Sequence, residues 1–183
     1  MSKVIFLDID GVLNSENHAK EMYALKESNP KKYFDTWDLP YEGTLKPLQR
    51  IIQSTGAIIV LSSTWRFRRI PKLNKIFERY GFKIFDKTCN GVSLEEVAKL
   101  GFNPNNCYSI YENSKGEKYT TDRGAEIAKW LSIHQDIESF VILDDDWADI
   151  DQYFEANHVW TDFYNWGLTE AKADIAIKIL NKS

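Results

Sequence analysis

Apolar and polar positions fall along this chain in blocks. Short continuous apolar runs end abruptly in acids or hydroxyls, and longer stretches with helical spacing separate them. Val4 to Leu7, Ala57 to Leu61 and Phe140 to Leu143 are such runs. They are rich in β-branched residues and have the length of strands buried on both faces of a parallel sheet. Shorter strands are expected at Lys83–Phe85 and His158–Trp160. Between them the pattern predicts helices over Ser15–Ser28, Thr44–Ser54, Pro71–Tyr80, Ser93 to about Gly101, Asp122–Ile133, Ile150–Glu155 and after Thr169. Thr44 is a plausible N-cap, with Pro47 in the first turn and Gly56 at the end. Ser93 and Glu96 have capping-box spacing, and Asp122 is expected to cap its helix. Cys107 to Tyr119, with Asn113-Ser114-Lys115-Gly116 in its middle, predicts a hairpin on the sheet's edge. The aromatic segment holding Tyr33, Phe34, Trp37 and Tyr41 has no clean period; it fits either a cap over a site or an edge of the core. Strands alternating with helices indicate an α/β fold with a mainly parallel sheet.

Composition narrows this picture only a little. With 183 residues and a hydrophobic fraction of 43%, the chain suits one domain with a real core. No apolar run would span a bilayer, and the amino terminus lacks signal-peptide features. Cys89 and Cys107 make no disulfide framework and no CxxC pair, so a reducing cytoplasm is the expected compartment. A net charge of −4 argues against a broad nucleic-acid-binding face, which needs many neutralised phosphates.

The candidate chemistry lies where the strands end. The first run stops at Asp8 and Asp10, followed by Gly11, which permits a turn that a side chain would hinder. Two carboxylates so close repel, which raises a pKa or calls for a cation, and Mg²⁺ favours such oxygen ligands. The second run delivers Ser62 and Ser63, and the later one Asp144, Asp145 and Asp146. In a parallel sheet these ends share one edge, where open α/β sheets place their sites. Arg123, in the first turn of the following helix, adds a cation there. Taken singly, Ser62 fits an ordinary loop hydroxyl and Arg123 a surface helix residue. Arg66 fits either a grip on substrate or a support for its own loop, and the run Arg66, Arg68, Arg69, Lys72 fits a solvated face. Asp146 and Asp149 read as solvated acids or helix caps, and His18, His134 and His158 as structural.

Together VIFLDIDGVLN, IIVLSSTWR, DRGAEIAKWL and FVILDDDWAD resemble the ordered motifs of the haloacid dehalogenase (HAD) superfamily of phosphohydrolases. SSTWR, the Arg-Gly helix opening and Gly167-Leu168-Thr169 are similar to the HAD domains of Swiss Army Knife RNA-repair proteins. The resemblance implies a Rossmann-like HAD fold, a three-layer sandwich with a small or minimal cap. Residues 1–183 would form one domain, with a small cap insertion at 15–43 and a substrate-shaping segment at 86–121. It also implies a Mg²⁺-dependent phosphatase working through an aspartyl-phosphate. Asp8 would be the nucleophile and Asp10 the general acid and then base. The metal would be held by Asp8, the Asp10 carbonyl, Asp144 and Asp145, and the phosphate by Ser62 and Arg123, with Ser63 and Arg66 near the substrate. A lysine is the more usual third-motif residue, so Lys115, Lys118 and Lys129 compete with Arg123. The substrates implied are a phosphorylated small molecule, a nucleotide or a nucleic-acid 3′-phosphate end. A receiver-like phospho-acceptor without turnover and a metal-dependent nuclease are the alternatives. The acid two residues past the nucleophile favours turnover over the former.

Overall fold

The computed structural model describes residues 2–36 and 40–182. Its centre is a five-stranded sheet in the order β3-β2-β1-β7-β8, with β1 Ser2–Leu7, β2 Ile58–Leu61, β3 Ile84–Lys87, β7 Ile137–Asp144 and β8 His158–Trp160. Every pairing in it is parallel. Successive side chains of a strand point to opposite faces, and the core divides accordingly. Ile5, Leu7, Ile59, Leu61, Val141 and Leu143 pack against Leu48, Leu73 and Ala176, which come from α3 (Glu42–Thr55), α4 (Ile70–Phe77) and α8 (Glu170–Leu180). Val4, Phe6, Val60 and Ile142 pack on the other face against Ile127, Trp130 and Phe154, from α6 (Arg123–Ile133) and α7 (Asp151–Phe154). The result is the expected three-layer α/β sandwich.

Between β1 and α3 lie α1 (Glu16–Ser28) and α2 (Pro30–Thr36). Ser15 caps α1 by accepting from the His18 N–H, and the helix ends at Ser28 as expected, with Asn29 and Pro30 following. Trp37 lies outside the described residues, as does Phe34 beyond its backbone. Among the described residues, no helix is long and apolar enough to cross a membrane, and Cys89 and Cys107 are both free thiols.

Three local expectations change. Thr44 is not an N-cap: α3 starts two residues earlier, after Tyr41. The buried Thr44 hydroxyl lies 2.9 Å from the Leu13 carbonyl and 2.7 Å from that of Tyr41, so a distant carbonyl claims it. The hairpin exists as β5 (Ile110–Glu112) and β6 (Lys118–Thr120), yet it does not edge the central sheet. It joins β4 (Val92–Ser93) in a separate three-stranded antiparallel sheet, followed by α5 (Leu94–Lys99), which Ser93 caps as expected. Asp122 precedes α6 without capping it; its carboxylate accepts from the Tyr108 and Ser109 N–H groups instead.

Candidate functional site

The register of the central strands brings the site together. Leu61, Leu7 and Leu143 stand abreast on β2, β1 and β7. One residue further on, Ser62, Asp8 and Asp144 therefore lie side by side, and the ladder continues through them. Asp8 N–H donates to the Leu143 carbonyl at 2.9 Å and Ser62 N–H to that of Leu7 at 3.0 Å. Chain order runs outward from β1 through β2 and β3 and then restarts at β7 on the other side. Asp8 and Asp144 thus flank the topological switch point, where parallel sheets open a crevice.

Asp8, Asp144 and Asp145 each offer a carboxylate oxygen within 4.8 Å of the others. Gly11 makes this approach feasible for two reasons. Its φ of +74° is a left-handed conformation, and a Cβ there would lie 2.1 Å from the Asp145 Cγ. Asp144 is fully buried, and its Oδ2 has no hydrogen-bond partner, although Arg123 Nε stands 3.5 Å away. Burial pushes the Asp144 and Asp8 carboxyls up, against the opposing pull of Arg123. Burial, with help from Asp8, pushes Asp145 up to about 6. Three carboxylates facing one another, two of them buried, are the donor set a hard divalent cation satisfies. The cluster therefore fits such an ion.

Arg123 supplies the fixed positive charge. Its Nη1 is 3.4 Å from Asp8 Oδ1 and also donates to the Ser62 carbonyl. Burial opposes its charge, but Asp144, Asp8 and Asp149 outweigh that and raise its pKa. The competing lysines are engaged or elsewhere: Lys129 pairs with Glu96 at 2.8 Å, and Lys115 and Lys118 are exposed on the hairpin. Asp149 receives the Arg123 N–H at 2.8 Å, so it caps α6 from outside the helix. Gly124 permits this junction, since a Cβ there would be 2.6 Å from the Asp149 carbonyl and 2.3 Å from the Tyr153 ring. Asp146 is exposed and closes a local turn by accepting from Ala148 N–H.

The Ser62 hydroxyl is buried without a hydrogen-bond partner. Buried hydroxyls are normally satisfied, so an oxygen at this edge would complete it. Ser63 is also buried; its hydroxyl faces Asp8 and favours that carboxylate's charge. Asp10, by contrast, is exposed. Its carboxylate accepts from Trp65 Nε1 at 2.8 Å and from the Asn14 amide at 3.4 Å.

Arg66 does not share the solvated face expected of its run. It turns inward, only 5% exposed, and forms a two-pronged pair with Glu126 at 2.9 and 2.7 Å. Its Nη1 donates to the Ser62 carbonyl, and Glu126 also accepts from Gly91 N–H at 2.9 Å. Of the two roles left open for Arg66, this geometry is that of a loop support. Glu126 itself escaped the sequence reading; its signal is an acid three residues after Arg123 in the otherwise apolar stretch GAEIA. Arg69 stacks on Trp65, 4.5 Å from the ring centre.

No curated protein and no solved structure matches the chain. The family model described as the HAD domain in Swiss Army Knife RNA repair proteins matches residues 4–173, and on that match, which spans the strand-end acids, Ser62 and Arg123 alike, the chain belongs to this HAD family.

Proposed function

We propose that this protein is a Mg²⁺-dependent phosphatase that hydrolyses a phosphomonoester through an aspartyl-phosphate. Membership of the family points to a phosphohydrolase in general. One observation carries the finer reading: the Asp8–Asp144–Asp145 cluster sits abreast of an unsatisfied Ser62 hydroxyl, with the Arg123 guanidinium against both Asp8 and Asp144. That is a carboxylate nucleophile beside the groups a phosphoryl unit needs.

On this reading Asp8 attacks phosphorus while the bond from phosphorus to the ester oxygen breaks. Asp10 gives its proton to the departing alcohol. Asp10 then takes a proton from water as that water attacks the aspartyl-phosphate, releasing inorganic phosphate and restoring both acids. Ser62 and Arg123 hold the phosphoryl oxygens, which is where most of the catalysis of such transfers resides. Asp8, Asp144, Asp145 and the Asp10 carbonyl would hold Mg²⁺, which when bound neutralises charge on the carboxylates and the phosphoryl group. Arg66 and Glu126 fix the Ser62 carbonyl from behind. Residues 15–43 act as a small cap, and residues 86–121 shape the approach. The family's description makes a nucleotide or an RNA 3′-phosphate end a substrate to try first.

The test is phosphate release from a panel of phosphomonoesters with MgCl₂, together with acid-quenched trapping of the phosphoprotein. Asp8→Asn and chelation should each abolish release. Full activity in either case excludes the reading. Capture of one phosphate without turnover would favour a receiver-like acceptor, and internal cuts in RNA a nuclease.

A further inference from the structure

A second feature of the same edge is a cavity of about 180 Å³ between α1 and the chain following β8. Asn14, His18, Met22, Tyr23, Tyr33 and Phe163 are the lining residues that matter. Its walls are tied to each other: Glu16 N–H donates to the Phe163 carbonyl at 2.7 Å, and Ser15 caps α1 where it leaves the catalytic loop. The seat is thus formed before any ligand arrives.

Position gives it a role. Asn14 both lines the cavity and places its amide 3.4 Å from Asp10 Oδ1. On the proposed mechanism Asp10 faces the departing alcohol, so this cavity adjoins the leaving-group side of the phosphate. Among the described residues the lining contains no carboxylate, lysine or arginine, and its one imidazole is that of His18. Lys26 packs on the Tyr33 ring, 5.6 Å from its centre, without lining the space. Arg66 and Arg123 are engaged at the sheet edge, and Arg69 lies on Trp65. Among the described lining residues there is no permanent positive charge to compensate a second phosphate. Three aromatic rings and a thioether instead offer the faces and edges against which a flat, uncharged ring packs best.

We propose that this cavity seats a planar, uncharged ring carried by the alcohol portion of the substrate. The inference rests on the phosphatase reading for its orientation, with the ring on the Asp10 side. A nucleobase and a simple aryl group share this chemistry. Contacts to a part of the substrate that does not react can be used to orient the part that does.

The experiment compares benzyl phosphate with cyclohexylmethyl phosphate. Both release a primary alcohol, and they differ in whether the ring is flat. Wild-type protein should favour the benzyl ester by about tenfold in kcat/KM, the size expected of one or two aromatic contacts. Phe163→Ala, which strips a wall, and Ala19→Phe, which fills the space, should each bring that ratio close to unity. Binding of benzylphosphonate against cyclohexylmethylphosphonate by calorimetry, on the same proteins, reads the seat without turnover. Adenosine 3′-monophosphate and phenyl phosphate, run alongside, report whether the ring arrives as a base or as an aryl alcohol. Phe163-dependence of either supports the seat. Equal turnover and equal binding of the flat and saturated pairs by wild-type protein overturns it, as does a preference that survives both variants. Failure of every ester while the phosphonate preference holds would overturn the phosphatase reading and leave the ring seat standing.

Discussion

Arg66 and Glu126, sixty residues apart in sequence, meet in a buried two-pronged ion pair behind the Ser62 carbonyl. Burial lowers the Arg66 pKa and raises that of Glu126, each opposed by its partner. Both shifts therefore express the cost of desolvation, which the pairing offsets. Breaking such a pair by removing one member strands a buried charge, at a cost of about 3–5 kcal/mol. Glu126→Ala should lower stability by roughly that amount in urea denaturation. The double variant Arg66→Met, Glu126→Leu should recover much of the loss, since neither charge is then stranded. Equal loss in single and double variants would show that packing, rather than the stranded guanidinium, sets the cost.

Gly11 and Asp145 test the carboxylate cluster from a different side. An alanine at Gly11 must adopt the +74° φ, at a cost of about 1–2 kcal/mol, and its Cβ falls on the Asp145 carboxylate. The carboxylate must leave its place beside Asp8 and Asp144. Gly11→Ala should therefore weaken Mg²⁺ binding by about tenfold or more, as disturbances around metal ligands commonly do. The rise in Tm along a MgCl₂ titration measures this. Parent-like binding would remove Asp145 from the ligand set.

The same acids set a pH dependence. Asp145 and Asp149 are pushed up to about 6, in both cases chiefly by burial, and return to ordinary carboxylate values when the chain unfolds. A raised folded-state pKa means the folded protein holds more protons than the unfolded one between about pH 4 and about pH 6, so their contribution to stability falls as pH rises through that window. Asp8 and Asp144 shift in the same direction. Metal-free protein should have a higher Tm near pH 5 than near pH 7.5, and saturating MgCl₂ should shrink or reverse the difference, because the cation replaces the protons. A metal-free Tm that climbs steadily over this range would contradict it.

Much of this site is legible in sequence because strand ends are. The runs ending at Leu7, Leu61 and Leu143 announce their own termini, and a parallel sheet puts Asp8, Ser62 and Asp144 on one edge without further information. Residues whose partners are distant are not legible in this way. Glu126 looks like any acid on a helix until Arg66 is brought against it, and Thr44 looks like a cap until the Leu13 carbonyl arrives. The hairpin of β5 and β6 follows from its turn residues. Its membership of a second sheet depends on Val92 and Ser93, a strand too short to carry a pattern. Asp149 could be read as a cap, but nothing local says that the helix it caps lies before it in the chain.

Trp65 and Asp10 carry the last prediction. The indole N–H can only donate, and it donates to the one exposed acid of the first motif at 2.8 Å, holding that carboxylate beside the crevice. Asn14, at 3.4 Å, is the weaker tether. Trp65→Phe keeps a ring for Arg69 to stack on and removes only the donor. A typical hydrogen bond is worth about 0.5–1.5 kcal/mol, and here it positions the acid that gives the proton, so kcat should fall by up to about tenfold. If Asp10 protonates the leaving oxygen, the loss should be largest for esters of poorly acidic alcohols and small for activated aryl esters, which depart without help. A series of phosphomonoesters graded by leaving-group pKa reads this as a steeper slope in the variant. An unchanged slope with a uniform loss would assign Trp65 to support of its loop and leave the orientation of Asp10 to Asn14.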